Sequence, residues 1–155
     1  MENNHNISHE GILNLGGISI PCYVLQDGTR VLSGRSLQEA LKMVDESEDG
    51  KQTAGTRLSR YLNQKSLKPF IYKDKEPDHF NPIICYKGTQ KINGYEATIL
   101  ADICEAFLEA RKSIVLSPRQ RIIADQCEIL IRGFARVGIT ALVDEATGYQ
   151  YERER

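Results

Sequence analysis

Two glycine-bearing dipeptides, Gly16-Gly17 and Asp27-Gly28, interrupt the apolar runs of "GILNLGGISIPCYVLQDGTRVLS" and constrain how this part of the chain can fold. A tight hairpin turn needs positive φ, which glycine adopts without steric cost. The spacing predicts three antiparallel strands, near Ile12 to Leu15, Ile18 to Leu25 and Thr29 to Leu32. Pro21 has no N–H to give to a ladder, so the second strand is expected to be at an edge or bulged there. Residues 1–10 are polar and aperiodic and read as a disordered tail.

Helical periodicity takes over after the hairpins. Ser36 and Glu39 stand in capping-box spacing ahead of a helix buried through Leu37, Ala40, Leu41 and Val44. "TAGTRLSRYLNQKSLKPF" fits a short helix with Leu58, Tyr61 and Leu62 inward, ended by Lys68-Pro69. "KDKEPDHFNP" reads as a loop, and "IICYK", a turn near Gly88 and "INGYEA" read as a strand pair. In "EATILADICEAFLEARKSI", Ile99, Leu100, Ile103, Cys104, Phe107 and Leu108 mark one buried helical face. In "SPRQRIIADQCEILIRGFARVG", Ser117 caps, Pro118 takes the first helical position, Gln120 completes a capping box and Gly138 is placed to end the helix. The apolar residues of this last helix cover more than one stripe, so it lies in the middle of the fold or contacts another subunit. "DEATGYQYERER" reads as a second turn into a charged helix, capped by Asp144 or Thr147.

The expected fold class is therefore α+β, with N-terminal antiparallel β-hairpins and packed helices followed by a helical C-terminal segment. The divisions are the tail at 1–10, an α+β domain at 11–113 and the helical segment at 114–155. At 155 residues, 41% apolar and 26% charged, the composition is that of a soluble globular protein. No apolar run is long enough to cross a bilayer, and "MENNHNISHE" has no signal-peptide character, so a cytoplasmic protein is expected.

Catalytic signatures are missing. The chain has no phosphate loop, dinucleotide fingerprint, metalloprotease helix or nucleophile elbow. The pairs Asp102/Glu105 and Asp144/Glu145 read as solvated helix faces rather than acid and base. The four cysteines, Cys22, Cys85, Cys104 and Cys127, are widely spaced among apolar neighbours and read as reduced, buried thiols. His5 and His9 are four apart, but in a segment poorly suited to a helix, so no metal site is expected. No enzyme activity, cofactor or metal is assigned.

Charge distribution says more than the net charge of −1. After the acidic patch "DESEDG" come Lys51, Arg57, Arg60, Lys65, Lys68 and Lys73, with no acid until Asp74. Such a segment either offers a positive face to phosphates or is a solvated surface neutralised by the acidic patch beside it. Tyr61 and Tyr72 within it either stack on bases or sit half-buried at a core margin. Candidate phosphate contacts are Arg57, Arg60, Lys65 and Lys68, with Arg35 and Lys51 as additions. Ile122, Ile129 and Phe134 are the candidate interface of a homodimer, unless a further C-terminal region covers that helix.

The segments "HEGILNLGGISIPCYVLQDGTRVLSGRSL", "KINGYEATILADICEAFLEARKS" and "IADQCEILIRGFARVGITALVDEATGYQYERER" resemble the phage and prophage family carrying the "protein sixty-three C-terminal" domain. "GITALVDEATGYQ" is the most specific phrase. In that family the domain is joined to DNA-binding modules of the Bro-N and KilA-N kinds, and the element order here is similar in pattern to Bro-N. The resemblance implies a DNA-binding, antirepressor-like regulator of transcription. Family members continue past the "ATGYQ" phrase, so the chain is expected to match an N-terminal part plus the opening of the name-giving domain. "VDEATGYQ" is then an elbow into a charged helix. The alternative function is a protein–protein interaction module acting on a host or phage protein.

Overall fold

The computed structural model describes residues 5–15, 17–43 and 56–150. Lys51, Val44, the acidic patch from Asp45 to Gly50 and the terminal "ERER" lie outside the described residues. Five strands form one antiparallel sheet in the order β1-β2-β3-β5-β4: β1 Ile7–Leu15, β2 Ile18–Leu25, β3 Arg30–Ser33, β4 Ile83–Lys87 and β5 Gln90–Glu96. Five helices accompany it: α1 Gly34–Ala40, α2 Thr56–Leu62, α3 Lys68–Ile71, α4 Thr98–Ser113 and α5 Pro118–Thr147. This is the α+β fold read from the sequence, with N-terminal hairpins and a long C-terminal helix.

The hairpin turns sit at the two dipeptides, with Gly17 at φ 80° and Gly28 at φ 89°. The Asp27 carboxylate accepts from the Thr29 N–H at 3.0 Å across the second turn. The first strand begins at Ile7, so Ile7 to Glu10 belong to the sheet and not to a disordered tail. The partner supplies the order that local sequence does not: Ile7 pairs with Leu25 and Glu10 with Tyr23. Tyr86 N–H donates to the His5 carbonyl at 3.1 Å, Asn6 bridges to Tyr86, and Lys87 pairs with Glu10 at 2.9 Å. These contacts bring the outer side of β1 to β4 and curl the sheet. Pro21 lies opposite Ile12, where β2 has only β1 beside it, because β3 pairs only with Tyr23 and Val24. The missing N–H is tolerated in such a half-edge.

Helix boundaries differ from the sequence reading in four places. The cap of α1 is Ser33, whose hydroxyl accepts from the Ser36 N–H at 3.1 Å, because β3 runs directly into the helix. Lys68-Pro69 opens α3 instead of closing a helix; proline in a first turn loses no hydrogen bond. Gly138 lies inside α5, which continues to Thr147 and stops at Gly148 with φ 79°. An interior glycine weakens a helix by only about 1 kcal/mol, which packing of the preceding turns outweighs. Asp144 and Thr147 thus belong to the last turns of α5; the chain turns at Gly148 and Tyr149, where the Thr147 hydroxyl accepts from the Tyr149 N–H at 3.3 Å, and the charged helix expected beyond lies outside the described residues. The Ser117–Gln120 capping box at the start of α5 is present as read.

Two apolar clusters share the sheet. The larger gathers Leu15, Ile20 and Leu32 from the strands with residues of every helix, including Phe107 of α4 and Ile123, Cys127 and Leu130 of α5. The helix beyond residue 113 therefore joins the same core as the sheet. The smaller holds Leu25, Val31 and Cys85, flanked by Ile7, Tyr23, Ile83 and Ile92. Gly94 permits this second cluster, since a Cβ there would stand 2.6 Å from the Cys85 sulfur. All four cysteines are free thiols; Cys22 is half-buried and the other three are buried. Among the described residues, no helix is long and apolar enough to cross a membrane.

Candidate nucleic-acid interface

The basic segment folds as α2, a turn, and α3. Arg57, Arg60 and Tyr61 of α2 and Gln64 just beyond it recur at spacings of three and four, which puts them on one side. They line a shallow pocket of about 160 Å³. Arg60, Lys65 and Lys68 are exposed, and Arg57 is half-buried. The Lys68 ammonium lies 6.0 Å from the centre of the Tyr72 ring, the outer limit of a cation–π contact.

This face is fastened to the start of α5. Arg119 Nε donates to the Tyr61 hydroxyl at 3.2 Å. The Gln120 carbonyl oxygen accepts from the Ser117 N–H at 3.0 Å, while its amide nitrogen donates to Gln64 Oε1 at 2.9 Å and Ser66 Oγ at 3.3 Å. One buried glutamine therefore closes the cap of α5 and holds the turn that carries Lys65. The Gln38 carbonyl oxygen in α1 accepts from the Leu58 N–H at 3.0 Å and anchors the other end of the segment. The result is a set of cations on a rigid support rather than on a free loop.

Arg119 is the residue that sequence reading missed, because it arrives at Tyr61 from 58 positions away. A signal was present: the first turn of α5 carries Arg119 and no acid, although the helix dipole disfavours cations there. Arg121, one residue beyond the cap glutamine, is exposed nearby in sequence. Arg35 is not brought into this group. It lines a separate cleft of about 390 Å³ with Tyr23, Glu39 and Lys91, and the two pockets share no lining residue. Lys51 lies outside the described residues. Tyr61 and Tyr72 both pack against the main core, and Tyr72 meets Phe80 edge-on at 5.3 Å, so both sit at the core margin.

Of the candidate interface residues, Ile122 and Ile129 are exposed, whereas Phe134 is half-buried and packs on the core. The carboxylate pairs depart from simple solvated faces. Asp102 is half-buried and bonded to His79 Nε2 at 2.8 Å, which clips the 72–82 loop to α4. Asp144 is buried, while Glu145 is exposed. Among the described residues, no three His, Cys, Asp or Glu side chains are grouped to hold a metal ion. No family model matches the chain, and comparison with curated proteins and with solved structures found no match.

Proposed function

We propose that this chain is a non-enzymatic, cytoplasmic DNA-binding regulator of phage or prophage type, antirepressor-like in role, which grips the phosphate backbone through the α2–α3 face. The observation that carries the reading is that Arg57 and Arg60 line one shallow pocket with Tyr61, whose hydroxyl accepts a hydrogen bond from Arg119 of a distant element. Arginine and lysine contacts to phosphate fix position without reading bases, so binding by this face alone is expected to be weakly sequence-dependent. The resemblance to the "protein sixty-three C-terminal" family supports the same role. With four phosphate contacts, log Kd plotted against log salt should have a slope near 3.6 in magnitude. Gel-shift titration with random duplex DNA at two salt concentrations measures it. Arg60→Glu with Lys65→Glu should abolish the shift at unchanged thermal stability, whereas no binding by the unmodified chain at low salt removes the proposal. A second reading, an interaction module for a host or phage protein, is favoured by the exposed Ile139, Leu142 and Val143 of α5. It predicts binding that is largely insensitive to salt.

A further inference from the structure

The solvent side of α5 changes character along its length. A single row, with alternating spacings of four and three, runs through Arg121, Asp125, Glu128, Arg132, Ala135, Ile139, Leu142 and Ala146, and ends there because the helix stops at Gly148. Its first half is charged and tied by ion pairs: Arg111 of α4 binds Asp125 at 3.2 Å and Glu128 at 2.6 Å, and Arg132 binds Glu128 at 3.4 Å. Its second half is apolar and uncovered. Ile139 is 60% exposed and Leu142 62%, with Val143 beside them at 53%. Residues that α5 buries in the core, Ile123, Cys127 and Leu130, fall outside this row, so the domain's own core face is turned elsewhere. An apolar row at spacings of four and three is what one helix presents to another.

We propose that this face pairs with the same face of a second copy of the chain, antiparallel, about a two-fold axis passing between Ile139 and Leu142. The sequence of sizes is the argument for self-pairing. Ala135, Ile139, Leu142 and Ala146 read small, large, large, small from either end. An antiparallel copy sets Ile139 against the partner's Leu142 and Ala135 against the partner's Ala146, which is the self-complementarity a two-fold interface requires. A parallel pair would instead bring Arg132 against its own copy. Ile139, Leu142 and Val143, with the alanines between them, bury roughly 800 Å² over two copies, below the range of stable specific interfaces, so a weak dimer in the upper micromolar range is expected. The pairing does not rest on nucleic-acid binding.

Sedimentation velocity over a micromolar concentration series tests it. The unmodified chain should pass from monomer to dimer, and Leu142→Glu should weaken the dimer by roughly 100-fold, since each dimer carries the change twice. Circular dichroism of that variant should be unchanged, because the side chain is exposed. Ala135→Cys with Ala146→Cys in one chain should cross-link into covalent dimers on mild oxidation, while each single variant should not. A chain monomeric throughout overturns the proposal and leaves the face to a different protein. A dimer that survives Leu142→Glu but is lost in Ile129→Glu overturns it in favour of the earlier turns of α5.

Discussion

Gly138 and Gly148 stand ten positions apart near the end of the same helix and ask opposite things of a side chain. Gly138 has helical backbone and no atom within 4 Å of where its Cβ would be, whereas Gly148 holds φ at 79°. Replacing Gly138 by Ala should therefore stabilise the fold by about 0.5–1 kcal/mol, through lower backbone entropy in the unfolded chain. Replacing Gly148 by Ala should destabilise it by about 1 kcal/mol, because a Cβ is strained in the left-handed region. Urea midpoints of the two variants against the unmodified chain measure both. A loss of stability at Gly138 would mean that the helix breaks there after all.

The packing of α4 against α5 and of β4 against β5 leaves several acidic protons out of reach of water. The Cys127 thiol is pushed up by its hydrogen bond with Cys104 across the α4–α5 joint and by burial. Burial likewise raises the Cys85 thiol and the Tyr95 phenol. Each group keeps its proton in the folded chain, while the unfolded chain releases it above the ordinary values of 9.0 for the thiols and 10.0 for the phenol. The stability contributed by these groups is whole below those values and is lost as pH rises past them. Denaturation midpoints should fall steadily on the alkaline side of pH 9.0. Under native conditions near neutral pH a thiol reagent should titrate Cys22 alone, the other three reacting on unfolding. A flat alkaline profile, or rapid reaction of all four thiols, would contradict this burial.

The larger core draws on all five helices and four strands, so the sheet and α5 have no separate interiors. The Gln126 amide donates to the Ala40 carbonyl at 2.8 Å, which further binds α5 to the end of α1. Far-UV circular dichroism and tyrosine fluorescence should therefore report one coincident unfolding transition. Two separated transitions would instead support the division at residue 113 expected from the sequence.

Local chemistry was enough to place the hairpin turns at Gly17 and Gly28, the strand "IICYK", the apolar face of α4 and the capping box of α5. Each rests on contacts within a few residues: positive φ, side-chain periodicity, a serine three places before a glutamine. The order of Ile7 to Glu10 was not legible, because it comes from Leu25 and Tyr23 across the ladder and from Tyr86 on a distant strand. The basic stretch from Arg57 to Lys68 could be listed from its charges, but its junction with Arg119 could not, since the Tyr61 contact spans 58 residues. The fate of Gly138 was undecided for the same reason. A glycine's local preference of about 1 kcal/mol is smaller than what helix packing can supply, and packing partners are chosen by the folded chain rather than by its neighbours in sequence.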